Sequence, residues 1–114
     1  QIAPSPSRDL SDGRNSIYVS SVSVWESAIK ADSGKLILPM PPLELFQRLI
    51  EKNGFIPLPI QFAHAAGVFS LPRAHSDPFD RLLISQAREE KLTLLSDDEV
   101  FKNYQLPGLV GPET

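Results

Sequence analysis

The sequence predicts an α/β domain with a mostly parallel central sheet and helices on both faces, and three observations carry that prediction. Short β-favouring runs at residues 17–19, 55–60 and 92–95 alternate with four segments of helical apolar spacing. Glycine and proline punctuate the junctions, as they do where strands hand over to helices. The chain has 114 residues, 41% of them hydrophobic and 22% charged, which suits one domain with one core.

Residues 1–16 carry Pro4, Pro6, Gly13 and many Ser and Asp residues, and read as an irregular lead-in. Ile17-Tyr18-Val19 reads as a buried strand. In residues 22–31 the apolar stripe is Val22, Trp25, Ala28 and Ile29, and Gly34 closes that helix. Residues 36–42 form a loop with three prolines, of which Pro42 opens the next helix; its stripe is Leu43, Phe46, Leu49 and Ile50, ending at Gly54. Pro57 and Pro59 each remove a backbone donor, so residues 55–60 belong at a sheet edge. Residues 61–69 and 78–91 are helical, the second with Phe79, Leu82, Leu83 and Ala87 inward. Residues 92–95 are a strand, followed by Asp97-Asp98 and a short helix through Tyr104. The tail, 105–114, reads as irregular and able to add at most a short strand, because Pro107, Gly108, Gly111 and Pro112 crowd it.

With no cysteine there is neither a disulfide nor a thiolate metal site. No apolar run is long enough to span a bilayer, and a cytoplasmic location is the default expectation. The net charge of −3 disfavours a nucleic-acid binder that relies on a basic surface. It leaves room for an enzyme that meets phosphates through bound cations.

In open α/β sheets the working crevice lies beyond the carboxyl ends of the strands, and the acids fall there. Glu26 follows the first strand, Asp77 and Asp80 flank Pro78, and Asp98 follows the last strand. Each also has a structural reading. Glu26 stands three residues after Ser23, the capping-box spacing. Asp77 before Pro78 suits an N-cap, Asp80 suits the positive end of that helix, and Asp98 suits the cap of the next one. If they converge, two carboxylates about 4 Å apart repel by roughly 4 kcal/mol at an effective dielectric of 20, which a shared cation relieves. Oxygen ligands favour Mg²⁺ or Mn²⁺ over zinc, and such ions suit phosphodiester hydrolysis.

Two stretches carry a resemblance. Ile17-Tyr18-Val19-Ser20-Ser21-Val22-Ser23-Val24-Trp25-Glu26, with Ala28-Ile29-Lys30 and Gly34-Lys35-Leu36, is similar to PIN-domain proteins of the VapC toxin type. So is His75-Ser76-Asp77-Pro78-Phe79-Asp80-Arg81-Leu82-Leu83-Ile84-Ser85-Gln86-Ala87, followed by residues 92–98 and Phe101. The resemblance implies a three-layer PIN-like fold and a metal-dependent endoribonuclease, the toxin of a toxin–antitoxin pair. It further implies RNA as substrate, an antitoxin as partner and a homodimer. It assigns Glu26, Asp80 and Asp98 to the Mg²⁺ or Mn²⁺ site, with Asp77 as an additional member; which of Asp77 and Asp80 faces the metal stays open. Asp97 reads as a solvated neighbour. The family opens on an apolar strand ending in Asp, and nothing before Ile17 matches it. The resemblance therefore implies that the first strand, which is the sheet's central one, and the first metal-ligating Asp lie outside this chain. On that expectation the chain is inactive alone or is completed by another chain.

Among the remaining residues, Trp25 reads as core rather than as a base-stacking ring. His64 reads as structural or exposed. His75 either approaches a phosphate or orders its loop, and Arg81, like Arg73, either contacts a phosphate or pairs with a neighbouring acid. Leu43, Phe46, Leu49 and Ile50 read as core, and the resemblance adds a dimer or antitoxin surface. Two rival readings are a catalytically inactive PIN-like module that binds an antitoxin or RNA, and an aspartyl-phosphate receiver suggested by residues 92–98.

Overall fold

A computed structural model describes residues 15–72, 77–95 and 108–112. The chain runs β1 (Asn15–Ser20), α1 (Ser21–Asp32), α2 (Pro42–Asn53), β2 (Ile56–Leu58), α3 (Phe62–Gly67) with a 3₁₀ turn at Val68–Ser70, α4 (Pro78–Glu90), β3 (Thr93–Leu95) and β4 (Gly108–Pro112). The expected mixed α/β fold is therefore present, with four helices and a four-stranded sheet among the described residues. The expected helix after Asp98 lies outside them.

The sheet order is β2-β1-β4-β3. β1 pairs parallel with β2, while β4 pairs antiparallel with both β1 and β3. It follows that β1, β2 and β3 run in one direction and only β4 opposes them. The sheet is mostly parallel by strand direction, as expected, but not fully so. β2 takes an edge, where Pro57 and Pro59 cost no ladder bond.

The tail supplies the short strand that the sequence reading allowed at most, but its place is unexpected. Residues 108–112 are wedged between β1 and β3, with Leu109 and Val110 buried. Pro112 closes the strand. Gly111 faces Leu92 so closely that a Cβ there would stand 2.4 Å from Leu92 Cδ2. The glycine that reads as a breaker is a close-approach site.

Alternation along β1 sets the layers. Ile17 and Val19 point to one face. There Val19 packs on Phe46 of α2 with Val24, Leu49, Ile50 and Phe55, and Ile17 packs with Val110 and Leu95. Tyr18 and Ser20 point to the other face, where the Ser20 hydroxyl meets Gln86 of α4. Helices α2 and α4 thus cover opposite faces. Leu109, opposite Tyr18 in the register, is fully buried.

Helix α1 corrects a second expectation. Ser20 is its N-cap and accepts from the Val22 amide at 2.9 Å, so Ser23 is no capping-box residue. The buried face is Val22, Ser23 and Ser27, and Trp25 and Ile29 are exposed. Small hydroxyl residues sit closest to the neighbouring elements, and Ser27 satisfies its hydroxyl on the Val24 carbonyl at 2.7 Å. An apolar-periodicity reading scores those serines as polar and rotates the face by about one residue. In α2, Leu45 and Phe46 are buried, Leu49 and Ile50 are partly buried, and Leu43 is exposed, against the expectation that it lies in the core. Gly54 closes α2 in the left-handed region, φ 69°, with its amide on the Ile50 carbonyl at 2.9 Å.

Candidate functional site

The carboxyl ends of β1, β2 and β3 lie at one edge of the sheet, since the three strands run in one direction. The chain passes directly from β1 into α1 there, so the first turns of α1 stand over that edge. The beginning of α4 meets them: the rings of Trp25 and Phe79 touch edge to face, with centroids 4.7 Å apart and planes at 71°. Trp25 precedes Glu26, and Phe79 precedes Asp80. The segments that carry Glu26 and Asp80, 54 positions apart, are thus brought into contact by the aromatic neighbours of these acids.

Each acid has its own surroundings. Glu26, in the second turn of α1, is largely buried at its side chain and pairs with Lys30 at 3.2 Å. That is an (i, i+4) helix pair, worth a few tenths of a kcal/mol. Asp77 is the N-cap of α4: its Oδ1 accepts from the Phe79 amide at 2.8 Å and the Asp80 amide at 3.4 Å. Pro78 fills the first helical position, where the missing donor costs nothing. Asp80 is exposed in the first turn of α4, and among the described residues nothing engages its carboxylate. Asp77 is thus occupied by capping, whereas Asp80 is available to a ligand. The cap gives a prediction. Asp77→Asn keeps a good N-cap and is expected to hold the melting temperature, while Asp77→Ala costs about 1 kcal/mol of stability by urea denaturation. Equal losses for both variants would show that the charge, not the cap, matters.

Asp98, Asp97, His75 and Arg73 lie outside the described residues. Among the described residues no three acidic or imidazole side chains gather closely enough to hold a metal ion. Arg81 takes a role that sequence did not offer: its guanidinium donates to the Pro72 carbonyl at 2.9 Å and the Val68 carbonyl at 3.0 Å. Arg88 does likewise with the Gly67 carbonyl at 2.8 Å. Both side chains reach from α4 to the turn that follows α3, where the Val68 carbonyl also accepts from the Leu71 amide and the Gly67 carbonyl from the Ser70 hydroxyl. Trp25 is a correction too. It is 51% exposed and lies at the rim of the site, outside the core.

Beneath the site lies a polar network that sequence reading missed. Gln86, fully buried on α4, accepts from the Ser20 hydroxyl and approaches the Pro59 carbonyl at 3.4 Å. His64, also fully buried, accepts from the Gln61 amide at Nδ1 (2.9 Å). Its proton therefore sits on Nε2, which donates to Glu90 at 2.7 Å. Ser85 donates to the His64 carbonyl at 2.6 Å. These bonds tie α3 and α4 to the carboxyl end of β1, fixing the helix that carries Asp80 to the strand that launches α1. The available signal was Gln86 three residues after Leu83, on the same inward stripe of α4.

Among the described residues the donors left for a metal are carboxylate oxygens, because the chain has no cysteine and both ring nitrogens of His64 are engaged. That set fits a hard divalent cation. No helix among the described residues is long and apolar enough to cross a membrane. Compared with known families, residues 2–106 match the model described as PIN domain. No match is found to a curated protein or to a solved structure.

Proposed function

We propose that this chain, which belongs to the PIN domain family, is a Mg²⁺- or Mn²⁺-dependent endoribonuclease and the toxin of a toxin–antitoxin pair. PIN domains are nucleases as a class; the metal, the RNA substrate, the toxin role, the antitoxin partner and the homodimer are this proposal's own steps. The observation that carries it is the Trp25–Phe79 contact, which draws the Glu26 and Asp80 segments together at the carboxyl edge of the sheet.

In the proposed site Asp80 and Glu26 would hold the cation, with Asp98 as the third carboxylate. A bound divalent ion lowers the pKa of water and neutralises charge on the leaving oxygen. Asp77 holds the first turn of α4 in shape, so the Asp80 carboxylate stays at the helix end. Lys30, paired with Glu26 at 3.2 Å, orients that carboxylate. The Ser20–Gln86 bond keeps the two helices in register beneath them.

The test is cleavage of a mixed-sequence single-stranded RNA by the full-length protein. Cleavage in Mg²⁺ that EDTA abolishes is expected, with Asp80→Asn and Glu26→Gln each lowering the rate at least about tenfold, the scale on which metal-site partners act. Unchanged cleavage in both variants would remove the proposal. A second reading, an inactive PIN-like module that binds an antitoxin or RNA, draws support from the Glu26–Lys30 pair, which already neutralises one expected ligand. Calorimetric titration with Mn²⁺ separates the two, since that module needs no metal.

A further inference from the structure

We infer that Trp25 is a stacking platform for a nucleobase of single-stranded RNA, placed against the scissile region; this rests on the nuclease reading above. Its setting is unlike that of a packing residue. The indole is 51% exposed, and Phe79 contacts it edge to face, an arrangement that occupies at most one ring face. Its chain neighbour is Glu26, and its ring neighbour precedes Asp80, so the indole lies beside the segments that carry both candidate ligands. A base seated there would place its adjoining phosphate beside the carboxylates.

The chain's charge strengthens the inference. With a net charge of −3, a general basic surface contributes little attraction to the phosphate backbone, and contacts of another kind have more to supply. Base–aromatic stacking is tolerant of sequence and strong enough to serve. A protein partner fits the patch less well. Ile29, one turn on, is the exposed apolar residue beside Trp25 on this helix, and the Glu26–Lys30 ion pair flanks both. One aromatic covers roughly 150–250 Å², whereas a stable interface takes about 800 Å² from each partner.

Trp25 is the one tryptophan of this chain, so the part of the indole emission that Trp25→Phe removes reports this site. The full-length protein is titrated with a fluorescein-labelled single-stranded RNA in Ca²⁺, following dye anisotropy and indole emission together; polyphosphate of similar length serves as control. Expected are saturable quenching by RNA at the anisotropy midpoint, none by polyphosphate, and RNA binding weakened about 5- to 100-fold in Trp25→Ala. Trp25→Phe is expected to restore most of it, and both variants to raise KM for cleavage in Mg²⁺ more than they lower kcat. RNA binding with unchanged indole emission overturns the inference, as does a Trp25→Ala variant that binds normally. Quenching that follows protein concentration without RNA assigns the patch to a second copy and overturns it as well. Cleavage with unchanged emission sinks stacking but leaves the nuclease reading standing. Quenching without cleavage does the reverse.

Discussion

Leu109→Asp is expected to abolish cooperative folding. The side chain is fully buried in β4, between Tyr18 of β1 and Leu94 of β3 in the cross-strand register. Burying a leucine contributes about 1.5–3 kcal/mol, and an unpaired carboxylate there adds a desolvation penalty of several kcal/mol. Against a typical domain stability of about 5–15 kcal/mol, the sum removes most or all of it. Ending the chain at Pro107 is expected to do the same, because Leu109 and Val110 are lost and β1 and β3 no longer share a neighbour. Leu94→Lys is the control: it lies in the same row at the sheet edge, is partly exposed and should be tolerated within about 1 kcal/mol. Circular dichroism melting reads all three. A Leu109→Asp chain that melts like the parent would mean that the tail is not in the sheet.

The second large effect is expected at Gln86. Gln86→Ala leaves the Ser20 hydroxyl without its acceptor and the Pro59 carbonyl without its donor, and it opens a cavity where α4 meets β1. Unsatisfied buried groups cost about 1–3 kcal/mol, and the cavity adds to that in proportion to its volume; together roughly 2–4 kcal/mol is expected from urea denaturation. Ser20→Ala also loses the α1 cap, so single variants mix two effects. A double-mutant cycle separates them, and a coupling of about 0.5–3 kcal/mol is expected for groups in one network. Additive losses would show that Ser20 and Gln86 do not depend on each other, and the support beneath the site would have to lie elsewhere.

The sequence and the structure agree where local chemistry is decisive. Pro42 and Gly54 bracket α2, Asp77 and Pro78 open α4, and two prolines send β2 to an edge. The PIN resemblance was legible for a related reason: the runs around Glu26 and Asp80 are contiguous in sequence. They diverge where burial depends on what packs from outside. Serine is scored as polar, yet Ser20, Ser23, Ser27 and Ser85 are buried, while Trp25 is not. His64 on its Ala-rich helix gave no sign of the three partners that hold it, because Gln61, Gln86 and Glu90 come from separate turns and elements.

By itself the sequence determined the alternation of strands and helices, the caps that bound them and the acids that follow strand ends. All of these are set by neighbours a few residues apart, where propensity and hydrogen-bonding capacity act. Only the tertiary structure decided that Gly108–Pro112 enters the middle of the sheet, that Gln86 and His64 knit α3 and α4 to β1, and that an indole stands open beside Glu26. Those outcomes depend on which surfaces meet across long stretches of chain, and the free energy of burial is a property of the meeting, absent from either partner alone.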